Sequence, residues 1–149
     1  MVDFKGRATT LLLIEDGEAD QRLVARALQR AEIKTDLYIV DNGEDGLAFL
    51  RGEGEHKGSP RPDLVLLDLN LPRIDGKQVL REIRADEKLK EIPVVMLTTS
   101  AEERDIIESY RLGVNAYITK PVEVQDFMDS IQKIKEFWFD LVMLPSREN

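Results

Sequence analysis

Short apolar runs recur along the chain, each followed by a segment whose apolar residues keep helical spacing. The runs are Thr10 to Ile14, Asp36 to Val40, Leu64 to Leu67, Pro93 to Leu97 and Ala116 to Ile118. They are rich in Val, Ile and Leu and mostly lack polar alternation, as strands do when helices cover both faces of a parallel sheet. Between them, Leu23, Val24, Ala27, Leu28 and Ala31 make one stripe, and Val79, Leu80 and Ile83 make another between Asp75 and Arg84. A fourth helix is expected to open at Ser100-Ala101-Glu102-Glu103, which has capping-box spacing, and to close at Gly113, where a left-handed residue commonly ends a helix. The alternation predicts five βα units and hence an α/β, doubly wound parallel sheet. The stretch from Gly52 to Pro62 is rich in Gly and Pro and reads as a surface excursion before the third strand.

A long C-terminal helix is expected from about Glu123 to Leu144. Val124, Phe127, Ile131, Ile134, Trp138 and Leu141 follow steps of three and four and form one stripe that can cover the core. A strand of five or six residues is matched by about 13 helical residues, so the turns after Lys135 overhang the sheet. There Phe137, Trp138, Phe139, Leu141 and Val142 surround the helix, with Asp140 the only polar residue before Pro145. Such a patch marks an interface, most simply a two-fold homodimer.

The 149 residues make one domain, 1–149, and its composition, 42% hydrophobic and 34% charged, is that of a folded globular chain. No apolar stretch is long enough to span a membrane and the first ten residues lack the apolar core of an export signal, so the protein is expected in the cytoplasm. With 21 basic against 29 acidic side chains, net −8, direct nucleic-acid binding is disfavoured. The absence of cysteine excludes disulfides, thiolate nucleophiles and Cys-ligated zinc. The single histidine, His56, lies in the Gly/Pro-rich stretch and reads as a solvated loop residue.

In a doubly wound sheet, chemistry gathers beyond the carboxyl ends of the strands. Strand one ends in Glu15-Asp16, strand three in Asp68, strand four in Thr98-Thr99-Ser100, and strand five is followed by Lys120-Pro121. If strands one and three are neighbours, Glu15, Asp16 and Asp68 converge. At ~4 Å a like-charge pair costs about 4 kcal/mol at an effective dielectric near 20, so three ionised carboxylates require a cation or a proton. An all-oxygen set with room for water suits Mg²⁺. Lys120 and Thr98 face this cluster and are placed to hold phosphoryl oxygens, which leaves Asp68 as a nucleophile able to form an aspartyl phosphate.

These residues carry a resemblance. Leu11 through Asp16, Leu64 through Pro72 with Asp75-Gly76, Pro93 through Thr98, and Tyr117 through Pro121 resemble the receiver domain of two-component response regulators over roughly residues 9–135. The resemblance implies a flavodoxin-like sheet of order 2-1-3-4-5 and a signalling protein, not an enzyme in the ordinary sense, that catalyses its own phosphorylation on Asp68 and slow dephosphorylation. It implies Mg²⁺ held by Asp16, Asp68 and the main-chain carbonyl of Asn70, with Glu15 acting through water, and a phosphoryl group held by Thr98 and Lys120. It further implies a cis peptide before Pro121, and a switch in which Thr98 moves toward the phosphoryl group and Tyr117 follows. The donor would be a sensor histidine kinase. Glu15 stands where an aspartate is usual. That departure, the 52–62 loop and the aromatic C-terminal end look most like the small stand-alone regulators that serve phytochrome-type kinases of cyanobacteria.

Three other functions fit less well. An aspartyl-phosphate phosphatase of the haloacid-dehalogenase type would need a second acid in place of Asn70 and its nucleophile on strand one. A flavin- or nucleotide-binding domain would need a Gly/Ser/Thr-rich loop where Glu15-Asp16-Gly17-Glu18-Ala19-Asp20 stands. An adaptor that works without phosphorylation would have no use for the intact set Asp16, Asp68, Thr98 and Lys120.

Overall fold

The computed structural model describes residues 8–30 and 34–120. Its strands are β1 (Thr9–Ile14), β2 (Thr35–Val40), β3 (Leu64–Leu67), β4 (Val94–Thr98) and β5 (Ala116–Thr119). Helices α1 (Glu18–Arg30), α2 (Gly43–Arg51), α3 (Gly76–Ala85) and α4 (Glu103–Arg111) alternate with them. All neighbouring strands are parallel and the order is β2-β1-β3-β4-β5. Ala31, Pro121 with its peptide bond, the helix expected from Glu123, and Phe137, Trp138, Phe139, Leu141 and Val142 lie outside the described residues.

The two faces of the sheet have separate cores because successive strand side chains point to opposite sides. Leu12, Ile14, Val65, Leu67, Val94 and Met96 pack with Leu47 and Phe49 of α2 and Val79, Leu80 and Ile83 of α3. Leu11, Leu13, Leu64, Leu66, Val95 and Leu97 pack with Val24, Ala27 and Leu28 of α1. β1, β3 and β4 are therefore buried throughout, as their apolar runs require. β2 departs from the expected pattern: as an edge strand it exposes Asp36, Tyr38 and Ile39 and buries only Val40 fully.

Helix ends are fixed locally. Asn42 and Asp75 cap α2 and α3 by accepting from the amides of Asp45 and Gln78 at 2.8 and 3.0 Å. The opening of α4 corrects the expectation. Glu102 is its N-cap, and Ser100 lies two residues earlier, where its hydroxyl turns to the Asp105 carboxylate. The close is as expected, with Gly113 at φ 100° just past the C-cap. His56 is also corrected. It ends a 3₁₀ turn (Gly54–His56), is half-buried, and lays its ring edge on Phe49 at a centroid separation of 5.4 Å.

Candidate functional site

The pairing register builds the site. Ile14 pairs with Leu67, so the next residue on each strand, Glu15 and Asp68, are neighbours at the carboxyl edge. Thr98 pairs with Thr119, which brings Lys120 one step beyond β5 against the same edge. Gly17 immediately precedes α1, its carbonyl accepting from the Gln21 amide, and the first helical turn returns Asp20 toward that edge.

Lys120 is the hub. Its buried ammonium donates to Glu15 Oε1, to Asp20 Oδ2 at 2.9 Å and to Asp68 Oδ2 at 3.1 Å. Asp68 Oδ1 accepts from the Asn70 amide at 3.1 Å, while Asn70 itself is exposed. Glu15 Oε2 accepts from the Gly17 amide at 2.9 Å. Burial would lower the Lys120 ammonium, but the hydrogen bonds to Glu15 and Asp20 and the fields of Asp68 and Glu15 outweigh it and hold it above the ordinary lysine range. Glu15 is pushed up to about 7 by burial and by the Asp68 charge, against the pull of Lys120 and the Gly17 amide.

Carboxylate oxygens of Glu15, Asp16 and Asp68 lie within 4.8 Å of one another, with Asp16 exposed and the other two buried. One ammonium against these three acids and Asp20 leaves the cluster negative. The donor set is all oxygen, and one of its members opens to solvent, so it fits a hard divalent cation that keeps part of its water shell.

Thr98 is fully buried at the end of β4, and its Oγ1 accepts from the Ser100 amide at 3.3 Å. Tyr117 on β5 is half-buried, and its hydroxyl donates to the Ser100 carbonyl at 2.9 Å. Burial raises its phenol above the ordinary range, partly offset by that bond. Glu15, Asp16, Asp68 and Lys120 thus form one cluster, with Asn70 bonded to it, while Thr98 and Tyr117 meet at Ser100. Asp20 belongs to the cluster and was not expected there. An acid in the first turn after Gly17 was the available signal, but the same position is common for helix-dipole reasons alone.

The sequence pattern of the response regulator receiver domain matches residues 11–144. The chain belongs to that family. It is 47% identical over 146 residues to response regulator Rcp1 of Synechocystis sp. (strain ATCC 27184 / PCC 6803 / Kazusa), covering 98% of this chain and 99% of the relative. A phosphorylated cyanobacterial phytochrome response regulator, RcpA, superimposes with a TM-score of 0.89 at 45% identity, covering 93% of this chain and 99% of the other. The Mn(2+)-bound form of Rcp1 gives 0.87 at 48% identity, with the same coverages. This receiver protein is a two-component response regulator, a signalling protein and not an enzyme in the ordinary sense. Among its described residues no helix is long and apolar enough to cross a membrane.

Proposed function

We propose that Asp68 accepts a phosphoryl group from the phosphohistidine of a cytoplasmic sensor histidine kinase of the phytochrome type, and that the modified protein signals through the face around α4 and β5. The observation that carries this reading is the buried ammonium of Lys120 touching Asp68 Oδ2 at 3.1 Å, beside two further carboxylates within 4.8 Å. In the transfer, an Asp68 carboxylate oxygen bonds to phosphorus as the P–N bond breaks, and the electron pair of that bond leaves with the imidazole nitrogen. Lys120 turns from its carboxylates toward the phosphoryl oxygens, and the Thr98 hydroxyl donates to one of them.

The resident cation of this reading is Mg²⁺, which when bound offsets charge on the phosphoryl oxygens. Asp16 and Asp68 would hold it directly, with the Asn70 carbonyl as a third ligand and Glu15 acting through water. The existence of a Mn(2+)-bound form of Rcp1, 48% identical to this chain, supports a divalent ion here. The protein carries out this chemistry on itself, including the slow hydrolysis that resets it.

Incubation with Mg²⁺ and a small acyl phosphate is expected to add one base-labile phosphoryl group, located on Asp68 by mass spectrometry. Asp68→Asn is expected to remove it. Equal labelling of the substituted protein overturns the acceptor assignment, and a parent that takes no label leaves the phosphorylation-independent adaptor in its place.

A further inference from the structure

Lys77, in the first turn of α3, takes no part in the site as described, yet it is tied to it by an unbroken chain of polar contacts. Its ammonium donates to Asp105 Oδ1 at 2.6 Å and to Glu108 Oε1 at 2.8 Å, both on α4. The Lys77 and Asp105 side chains are only 18% and 14% exposed, which sets them apart from the ordinary solvent-screened surface pair. The second Asp105 oxygen accepts from Ser100 Oγ at 2.6 Å. Ser100 in turn donates its amide to Thr98 Oγ1 at 3.3 Å and offers its carbonyl to the Tyr117 hydroxyl at 2.9 Å. On the other side of Lys77, the neighbouring Gly76 amide donates to the Leu69 carbonyl at 2.8 Å, next to Asp68.

The consequence is mechanical. Ser100 sits in a connection with no helical cap of its own, since Glu102 caps α4 without a side-chain hydrogen bond. Besides its bonds to Thr98 and Tyr117, Ser100 accepts at its hydroxyl from the Glu102 amide at 3.4 Å and donates the shorter, charge-assisted bond to Asp105, which is held in turn by Lys77. The ammonium holds the Asp105 carboxyl below its ordinary range, with Ser100 adding to the effect. Ser100 so held presents its amide to Thr98 Oγ1 and its carbonyl to the Tyr117 hydroxyl, and the Thr98 carbonyl accepts from the amide of Lys120, the residue whose ammonium reaches Asp68.

We propose that Lys77 is a positioning residue for phosphoryl transfer: through Asp105 and Ser100 it holds Thr98 and Tyr117 in the arrangement that the phosphoryl group on Asp68 requires. This rests on Asp68 being the acceptor. Removing the latch releases the connection between β4 and α4, so the Tyr117 hydroxyl leaves the Ser100 carbonyl for part of the time and the Thr98 hydroxyl loses its fixed partner.

The test uses the full chain as Lys77→Met, which keeps the apolar stem and removes the charge, together with Asp105→Asn and Lys77→Arg. Two readouts are taken: the ring signals of labelled Tyr117 in the unphosphorylated protein, and the initial rate of Asp68 phosphorylation by a small acyl phosphate at saturating Mg²⁺. Lys77→Met is expected to move the Tyr117 signals toward solvent-exposed values and to slow labelling by about three- to tenfold, as for groups coupled within one network. Asp105→Asn is expected to act in the same direction, the pair of substitutions to be no worse than the stronger single one, and Lys77→Arg to restore most of the rate. Tyr117 signals unchanged in Lys77→Met with a rate within about twofold of the parent overturn the latch. If the parent is not labelled on Asp68, the acceptor reading fails, and the Tyr117 signals still decide whether Lys77 holds the connection.

Discussion

Glu15 is buried between an ammonium that favours its charge and a carboxylate that opposes it. Its pKa, pushed from 4.5 to about 7, lies above the unfolded value, so the folded metal-free protein binds the proton more tightly than the unfolded chain. The stability this contributes is complete below about pH 4.5 and is lost as the pH rises through about 7. In a chelating buffer the thermal midpoint of the parent is therefore expected to fall by a few degrees across that window, and the fall to flatten in Glu15→Gln. An equal fall in the two proteins would show that another group titrates. Residues at this scale were legible where chain position alone fixes spatial position. Asp16, Asp68, Thr98 and Lys120 stand at or just past strand ends, and parallel strands bring such ends to one edge. Asp20 and Lys77 were not legible. Asp20 meets Lys120 across 100 residues, and Lys77 meets Asp105 across 28, through helix placements that no local pattern encodes.

The same contrast separates elements that follow from composition from those that follow from packing. β1, β3 and β4 could be read from continuous apolar runs because both their faces are covered, whereas β2 alternates because it is an edge. Ser100-Ala101-Glu102-Glu103 has the letters of a capping box, yet the Ser100 hydroxyl is captured by Asp105, and α4 begins later. The start of α3 is set by close approach. A Cβ on Gly76 would stand 2.3 Å from the Asp68 carbonyl oxygen and 2.8 Å from Leu69 Cα, both backbone atoms that cannot swing aside. Gly76→Ala is thus expected to destabilise the fold by about 1–3 kcal/mol, as overpacking does, and to slow Asp68 phosphorylation because the displaced backbone carries the acceptor. Gly113→Ala is the control. Its φ of 100° makes the substitution strained as well, by about 1 kcal/mol, but at the end of α4 remote from the Asp68 backbone. Denaturant unfolding with labelling rates checks both. Equal rates in the two variants would detach the Gly76 contact from the chemistry.

For the whole molecule, the strand order places β1 and β3 side by side at the centre, so the acids ending them meet where the crossover direction reverses. Alternation predicts the βα units, and the resemblance to receiver domains implies the strand order. What the assembled protein does with its last residues is carried by the sequence, because residues 121–149 lie outside the described part. Phe137-Trp138-Phe139 and Leu141-Val142-Met143-Leu144 are separated only by Asp140. On a helix no single stripe can hold that many consecutive apolar residues, since successive side chains step by about 100° and circle the axis. In the helix expected there, one domain face would cover part of such a segment and a second copy the remainder, in an isologous pair. The parent is accordingly expected to sediment as a dimer at micromolar concentration. Changing Phe137 and Phe139 together to Glu is expected to give monomers, since burying two carboxylates in an apolar contact costs more than the contact returns. Because the phosphoryl site is assembled from strand ends 9–120, the monomeric variant is expected to keep Asp68 labelling within about twofold of the parent, as distant sites behave independently. A parent that sediments as a monomer with and without phosphorylation would eliminate the homodimer and leave the segment to its own domain or to the kinase.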